Sequence, residues 1–264
     1  MSLELNKTYQ GNCLELLPQV PNDFVDMVLT SPPYDDLRKY KGYAFDFEGV
    51  ARELYRVVKP GGVVVWVVGD ATVDGSETGT SFQQALGFKG VGFNLHDTMI
   101  YKKSSQPRQT VRYEQQFEYM FVVSKGMPKT FNPLQQPCKY AGRVAKRTCR
   151  DNGSDVLRAS SNVVALTRKR DNIWEYGTKH NDTGHPAVFP LELATDHILS
   201  WSNPGDTVLD PFFGSGTTGV ACQQLGRNFL GFEISSEYCA IARSRTGESV
   251  KLFNPYATNT TAGE

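Results

Sequence analysis

The sequence predicts an α/β fold, a mostly parallel sheet with helices on both faces. Three observations carry that expectation. Val25 to Leu29 and Val63 to Val68 are short apolar runs rich in β-branched residues, the pattern of strands buried on both sides. Phe47 to Val58 places apolar residues at 47, 50, 51, 54, 57 and 58, the spacing of one helix face. Thr207 to Leu209 runs into a glycine-rich turn and then a helical stretch, the layout of a nucleotide site at a strand's carboxyl end.

Taken in order, Lys7 to Gln10 reads as a short strand that turns at Gly11-Asn12-Cys13, and Leu14 to Leu17 as a helical segment stopped by Pro18. Val25 to Leu29 feeds Thr30-Ser31-Pro32-Pro33-Tyr34. The two prolines lack N–H groups and fix φ, so the strand must end in a rigid turn. Asp35 to Tyr43 has no period and reads as a loop over that turn. Lys59-Pro60-Gly61-Gly62 ends the helix begun at Phe47, strand 63–68 follows, and Ala71 to Gly79 is loop. Thr98 to Tyr101 and Tyr119 to Val123 are further strands. Residues 126–184 lose regular periodicity and read as an insertion. Phe189 to Trp201 is helical, Asn203 to Asp206 a turn, Thr217 to Leu225 a helix, Phe229 to Ile234 a strand and Glu237 to Arg245 a helix. The expected division is one domain in two halves, 1–125 and 185–256, with 126–184 inserted and a disordered tail at 257–264.

The chain of 264 residues is long enough for a sizeable core. It has no run of about 18 apolar residues and no signal-peptide pattern, so a soluble, cytoplasmic protein is expected. Five scattered cysteines without a C-x-x-C pair suit reduced thiols rather than disulfides or zinc. The zero net charge conceals an asymmetry. Residues 1–100 hold 8 Lys/Arg against 13 Asp/Glu, residues 101–180 hold 16 against 6, and residues 181–264 hold 4 against 9. A basic middle between acidic flanks is a surface for a polyanion, and nucleic acid is the natural one.

In Asp210-Pro211-Phe212-Phe213-Gly214-Ser215-Gly216-Thr217-Thr218-Gly219 the glycines permit a tight turn and close approach to a ligand. An acidic Asp210 is wrong for a pyrophosphate and right for a cationic or amino-bearing ligand. Glu233 follows 23 residues later, near the offset at which a carboxylate grips ribose hydroxyls. S-adenosylmethionine meets these demands. With both stretches in hand, the chain resembles the β class of amino-group DNA methyltransferases, whose catalytic motif precedes the cofactor motif. Thr30 to Tyr34 matches the catalytic motif in its serine form. Asp210 to Gly219 matches the cofactor motif, and Gly231-Phe232-Glu233 the ribose motif. His185 to Pro190 resembles the segment beside the methionine moiety, and Gly11-Asn12-Cys13 the turn near the adenine, with Asn12 in place of the usual acid.

The resemblance implies a Rossmann-like methyltransferase fold with permuted motif order. It implies cofactor contacts from Asn12, Cys13, His185, Asp210, Phe212, Gly214, Ser215, Gly216, Thr217 and Glu233. It also implies catalysis at Ser31, Pro32, Pro33 and Tyr34 on a flipped base of double-stranded DNA, with no metal. In the resembling family the serine form is more frequent among enzymes for N4 of cytosine, yet occurs among those for N6 of adenine. Phosphate contacts are expected from Lys139, Arg143, Lys146, Arg147, Arg168, Lys169 and Arg170 in the inserted region. Phe117 and Tyr119 are candidates for the second face of the base pocket or for core. A zinc site of His180, His185, Cys138 and Cys149 fits no common spacing, and Ser31 lacks the G-x-S-x-G elbow of a hydrolase nucleophile. An enzyme acting on RNA or protein, or a DNA-binding module with a vestigial site, are the rival readings. The oligomeric state is not legible.

Overall fold

The computed structural model describes residues 3–33, 45–104, 111–151, 154–177 and 189–248, with 145–151 and 154–162 described by backbone alone. Its elements are β1 (Lys7–Gln10), α1 (Cys13–Leu16), β2 (Val25–Thr30), α2 (Phe47–Val57), β3 (Val58–Val68), β4 (Thr72–Val73), β5 (Ser76–Glu77), α3 (Thr80–Val91), β6 (Asn94–Lys103) and β7 (Phe117–Ser124). The inserted region holds β8 (Gln135–Pro137), β9 (Val144–Asp151), β10 (Ser154–Val163), β11 (Thr167–Lys169) and β12 (Ile173–Tyr176). Then come α4 (Leu191–Trp201), β13 (Thr207–Asp210), α5 (Thr217–Gln224), β14 (Asn228–Glu233) and α6 (Ser236–Arg245).

One eight-stranded sheet runs in the order β1-β14-β13-β2-β3-β7-β6-β12. Every neighbouring pair is parallel except β3–β7 and β7–β6, so β7 alone is reversed. Side chains of β3 alternate between two cores. Val64, Trp66 and Val68 point to the face covered by α1 to α3, where they meet Leu54 and Phe88. Val63, Val65 and Val67 point to the face covered by α4 to α6, with Ile198 and Ala221. Both faces are therefore buried, which is why β2 and β3 read as unbroken apolar runs.

Three elements differ from the sequence expectation. Helix α3 went unread because two of the four residues in its buried stripe, Ser81, Gln84, Ala85 and Phe88, are polar, while Phe82 and Leu86 on its outer side are exposed. Strand β3 starts at Val58, directly after α2. The Pro-Gly-Gly cluster ends the helix, yet Gly61 N–H donates to Lys125 O (2.6 Å) and Lys125 N–H to Gly62 O (3.1 Å), so it joins the sheet. Within the aperiodic stretch, β12 pairs with β6 as the sheet's last strand and buries Trp174 and Tyr176. Four residues are too few to display a period. The other inserted strands form two small antiparallel ribbons, β9–β10 and β8–β11.

Arg227 ties the two helices of the second face together. It is 8% exposed. Its guanidinium donates to Ser202 O (2.8 Å) and Ser202 Oγ (3.1 Å) at the end of α4, and to Leu225 O (2.6 Å) at the end of α5. A cation here satisfies carbonyls that no helix hydrogen bond reaches. Arg227→Met should lower unfolding free energy by roughly 2–4 kcal/mol through three lost hydrogen bonds, measured by urea denaturation, with no change in the sheet's circular dichroism.

Candidate active site

Parallel pairing aligns the carboxyl ends of four strands. Gln10 lies opposite Glu233, Asp210 opposite Gly231, and Leu209 opposite Val28. The residues that follow these ends, Gly11, Asn12, Ser31, Pro32, Pro211 and Ile234, line one cavity of about 1100 Å³ with Asp210 and Glu233. Phe45, Phe47 and Phe212 form an aromatic wall, and one face of α3, from Thr80 to Val91, another side.

Asp210 joins the two stretches. Thr30 Oγ1 donates to its Oδ1 (2.6 Å), the Phe212 N–H to the same oxygen (3.1 Å), and Thr218 Oγ1 to Oδ2 (2.6 Å). The carboxylate is 2% exposed. Burial pushes its pKa up to about 6, and Glu233 adds to the rise, while the bonds from Thr218, Thr30 and Phe212 oppose it. The sequence suggests a carboxylate that attracts a ligand directly. In the fold its oxygens are engaged by three protein donors, and it acts as a clamp between β2, the turn and α5.

Glu233 accepts from the Gly214 N–H at Oε2 and the Ser235 N–H at Oε1, both at 2.8 Å. Burial raises its pKa as well. Neither carboxylate has an ion-pair partner among the described residues, so two buried negative groups border one cavity. That arrangement suits a ligand bearing hydroxyls and positive charge, as S-adenosylmethionine does. The turn between them is built on glycine. Gly216 has φ +81° at the start of α5, and a Cβ on Gly231 would stand 2.4 Å from the Phe213 ring. Phe213 thus packs into the core, stacked on Phe229 at 5.5 Å. Phe212 faces the cavity, edge-on to Phe45 at 5.5 Å.

Ser215 and Thr217 also line the cavity. Arg245 Nη1 donates to Ser215 O (2.6 Å), Ser215 Oγ (2.9 Å) and Thr217 Oγ1 (3.3 Å), and so stiffens this wall from behind. Asn12 Oδ1 accepts from the Leu14 N–H (3.0 Å) and caps α1. The Cys13 thiol is buried and pushed up to about 12, so it stays protonated. Pro33 lines the cavity beside Ser31 and Pro32. Tyr34, the loop 35–43 and His185 lie outside the described residues, as do the side chains of Lys146 and Arg147.

Of the expected phosphate contacts, Lys139, Arg143 and Lys169 are exposed. Lys139 and Arg143 both lie over the Tyr140 ring, at 5.6 and 5.3 Å. Two others have partners within the protein. Arg170 is ion-paired with Asp196 (2.6 Å) and sits over the rings of Trp174 (4.7 Å) and Tyr176 (5.4 Å), so it belongs to the packing of β12 on α4. Arg168 is held by both oxygens of Asp171, at 2.5 and 2.8 Å, which offsets its charge. Phe117 and Tyr119 are half-buried and pack edge to face at 5.3 Å. Among the described residues no cluster of three metal-type ligands occurs, and no helix is long and apolar enough to cross a membrane. Thr30 and Thr218 lie within the two motifs but receive no role from them, and Phe45 and Gln84 are site residues outside any motif.

The folded chain holds the Asp210 proton more tightly than the unfolded chain, so Asp210 favours folding below about pH 4 and loses that contribution as pH rises through 6. The stability advantage of the parent over Asp210→Asn should therefore shrink between pH 4 and 7, by up to about 3 kcal/mol, read from denaturant unfolding across that range. Thr30→Val should destabilise by roughly 1–3 kcal/mol, since it leaves a buried carboxylate short of a donor.

Comparison with known proteins accords with this geometry. A family model described as DNA methylase, of the N6/N4 methyltransferase type, matches residues 25–244. The orphan methyltransferase M.BamHII of Bacillus amyloliquefaciens is 52% identical over 234 residues, covering 84% of this chain and 88% of its own. The type II methyltransferase M.SmaI of Serratia marcescens is 27% identical, over 90% of each chain. Among solved structures, a DNA modification methylase of Thermus thermophilus complexed with S-adenosyl-L-methionine matches with TM-score 0.62 and 27% identity, over 94% of this chain and 97% of that one. The PvuII cytosine-N4-specific DNA methyltransferase shares the fold, with TM-score 0.69 and 21% identity over 99% and 89% of the two chains. The chain belongs to the N6/N4 DNA methylase family and is a DNA methyltransferase that uses S-adenosylmethionine to methylate an exocyclic amino nitrogen of a base.

Proposed function

We propose that the enzyme is site-specific, acts on a base flipped out of duplex DNA, and methylates N4 of cytosine. The observation that carries this reading is the shared cavity. Ser31 and Pro32, at the end of β2, border the same space as Asp210 and Glu233 at the ends of β13 and β14. A donor beside the carboxylates and an acceptor base beside the serine turn then face each other.

Bound S-adenosylmethionine supplies a methyl group already activated on a sulfonium. The protein's task is the amine, whose lone pair is delocalised into the ring. Ser31 Oγ and the Pro32 carbonyl accept from its two N–H groups, favour a pyramidal nitrogen and localise that lone pair. Pro32 is buried and Pro33 half-buried, so the acceptors are held in place before the substrate arrives, and preorganised dipoles of this kind are the largest catalytic term in many enzymes. Transfer would replace the methyl group's carbon–sulfur bond with a carbon–nitrogen bond, and the amine proton released would leave to solvent. Glu233 would hold the cofactor's ribose hydroxyls, Phe212 would border its adenine, and Gly214 to Thr217 would hold its amino-acid end. Asn12 and Cys13 would complete the cofactor's surroundings, and the family resemblance adds His185.

A base within a duplex cannot reach this turn, so it is extruded at a cost of a few kcal/mol. Stacking on Tyr34 returns roughly 1–3 kcal/mol of that. The inserted region 126–184 supplies the DNA surface, through Lys139, Arg143 and Lys169 with Lys146 and Arg147 on the β9–β10 ribbon. The serine form of the catalytic motif favours cytosine.

Nucleoside analysis of DNA from expressing cells should show N4-methylcytosine. N6-methyladenine in its place would reassign the base and leave the site intact. Ser31→Ala should reduce kcat by about 10²-fold or more, with S-adenosylmethionine affinity within about twofold by calorimetry. Replacing Lys139, Arg143 and Lys169 together with alanine should weaken duplex binding and reduce the slope of log K against log salt by about two to three.

A further inference from the structure

Gln84 lies on the wall of the cavity contributed by α3 and is 4% exposed. The indole N–H of Trp66 donates to its Oε1 at 2.8 Å. An indole can only donate, so this bond fixes which end of the carboxamide faces Trp66. The amide nitrogen must point elsewhere. No described residue accepts from it, and it is not among the sealed, unpartnered side-chain atoms of the described residues, His197 Nδ1 and Trp201 Nε1. The nitrogen end of the carboxamide is therefore not closed off in the core, and the residue borders the cavity.

The anchor places this donor beside the catalytic turn. Trp66 pairs with Thr30 across β2 and β3, and Thr30 immediately precedes Ser31. Trp66 is itself fully buried, wedged edge-on by Phe47 at 5.9 Å and Phe88 at 5.1 Å. Gly87 makes room for the Phe47 ring, which lies 2.4 Å from where a Cβ would stand. The amide is thus preorganised at no rotamer cost when a ligand arrives.

Resting on the assignment of the amine to Ser31 and Pro32, we infer that Gln84 is a base-selecting residue whose Nε2 donates to the unprotonated ring nitrogen beside the methylated amine. Cytosine and adenine each carry such a bare nitrogen next to the amino group. Thymine in the pose of cytosine, and guanine in the pose of adenine, present a carbonyl in place of the amine and an N–H in place of the bare nitrogen, and that N–H would meet the Gln84 donor head on. The serine turn accepts from the amine and Gln84 donates to its neighbour, so together they read an adjacent donor–acceptor pair. A site built to hydrogen-bond one pattern rejects the other through the polar groups left unpaired.

Steady-state transfer of labelled methyl groups to unmethylated duplex DNA tests this, with S-adenosylmethionine affinity measured by calorimetry. Gln84→Glu keeps an acceptor for Trp66 and removes the donor, and Gln84→Met removes the donor without adding charge. Gln84→Met should raise the apparent KM for DNA roughly five- to tenfold, the size of one neutral hydrogen bond, and Gln84→Glu should raise it further. Cofactor affinity should stay within about twofold of the parent. Parental KM in both variants, with Ser31→Ala inactive, overturns the assignment of Gln84 and leaves the serine site standing. A fall in cofactor affinity matching the rise in KM also overturns it, since the donor would then serve the cofactor. Parental turnover by Ser31→Ala overturns both readings.

Discussion

The carboxylate of Asp210 is the joint on which the site depends. Thr30 and Asp210 are 180 positions apart in the chain, and a 2.6 Å hydrogen bond connects them. Thr218 closes the other oxygen from the first turn of α5. A buried carboxylate in a low-dielectric core is costly without such donors and strongly orienting with them. The clamp sets the serine turn against the glycine turn and aligns the sheet edge that carries both. Burial raises the carboxylate's pKa against the pull of these donors.

Permuted motif order has little consequence for this edge. Parallel pairing of β2, β13 and β14 puts their carboxyl ends side by side whichever comes first in the chain. Ligands bind outside the carboxyl ends of strands in open α/β sheets because loops and helix starts converge there, away from the packed faces. The cavity shows the same logic. Its floor is the edge of the sheet, its aromatic wall is Phe45, Phe47 and Phe212, and its polar wall comes from α3.

Charge divides the surface from the site. Around the cavity two carboxylates are buried with no ion-pair partner among the described residues. The exposed cations of the inserted region, Lys139, Arg143 and Lys169, lie outside it. Arg170 and Arg227 are a different class, buried or half-buried and bonded to α4 and its neighbours. A count of basic residues by sequence merges these two populations. Only the partners of each guanidinium separate them.

Much of this was legible in the linear text. Continuous β-branched runs announced strands buried on both faces, two prolines set the end of β2, and the Asp-Pro-Phe-Phe-Gly-Ser-Gly turn announced a ligand site. These are local properties, written in neighbouring residues. Helix α3 escaped because its buried stripe includes Ser81 and Gln84, whose burial makes sense only beside Asp70 and Trp66. Likewise β12 is four residues whose strand character comes from pairing with β6. By itself the sequence determined the α/β class, the two motifs and the basic middle segment, because periodicity, turn chemistry and charge are short-range. Tertiary structure alone decided that Asp210 holds Thr30, that Arg170 belongs to the packing of the second face, and that Gln84 borders the cavity with its carbonyl held by Trp66. Each of those roles depends on a partner distant in sequence, and no local pattern encodes which partner the fold will supply.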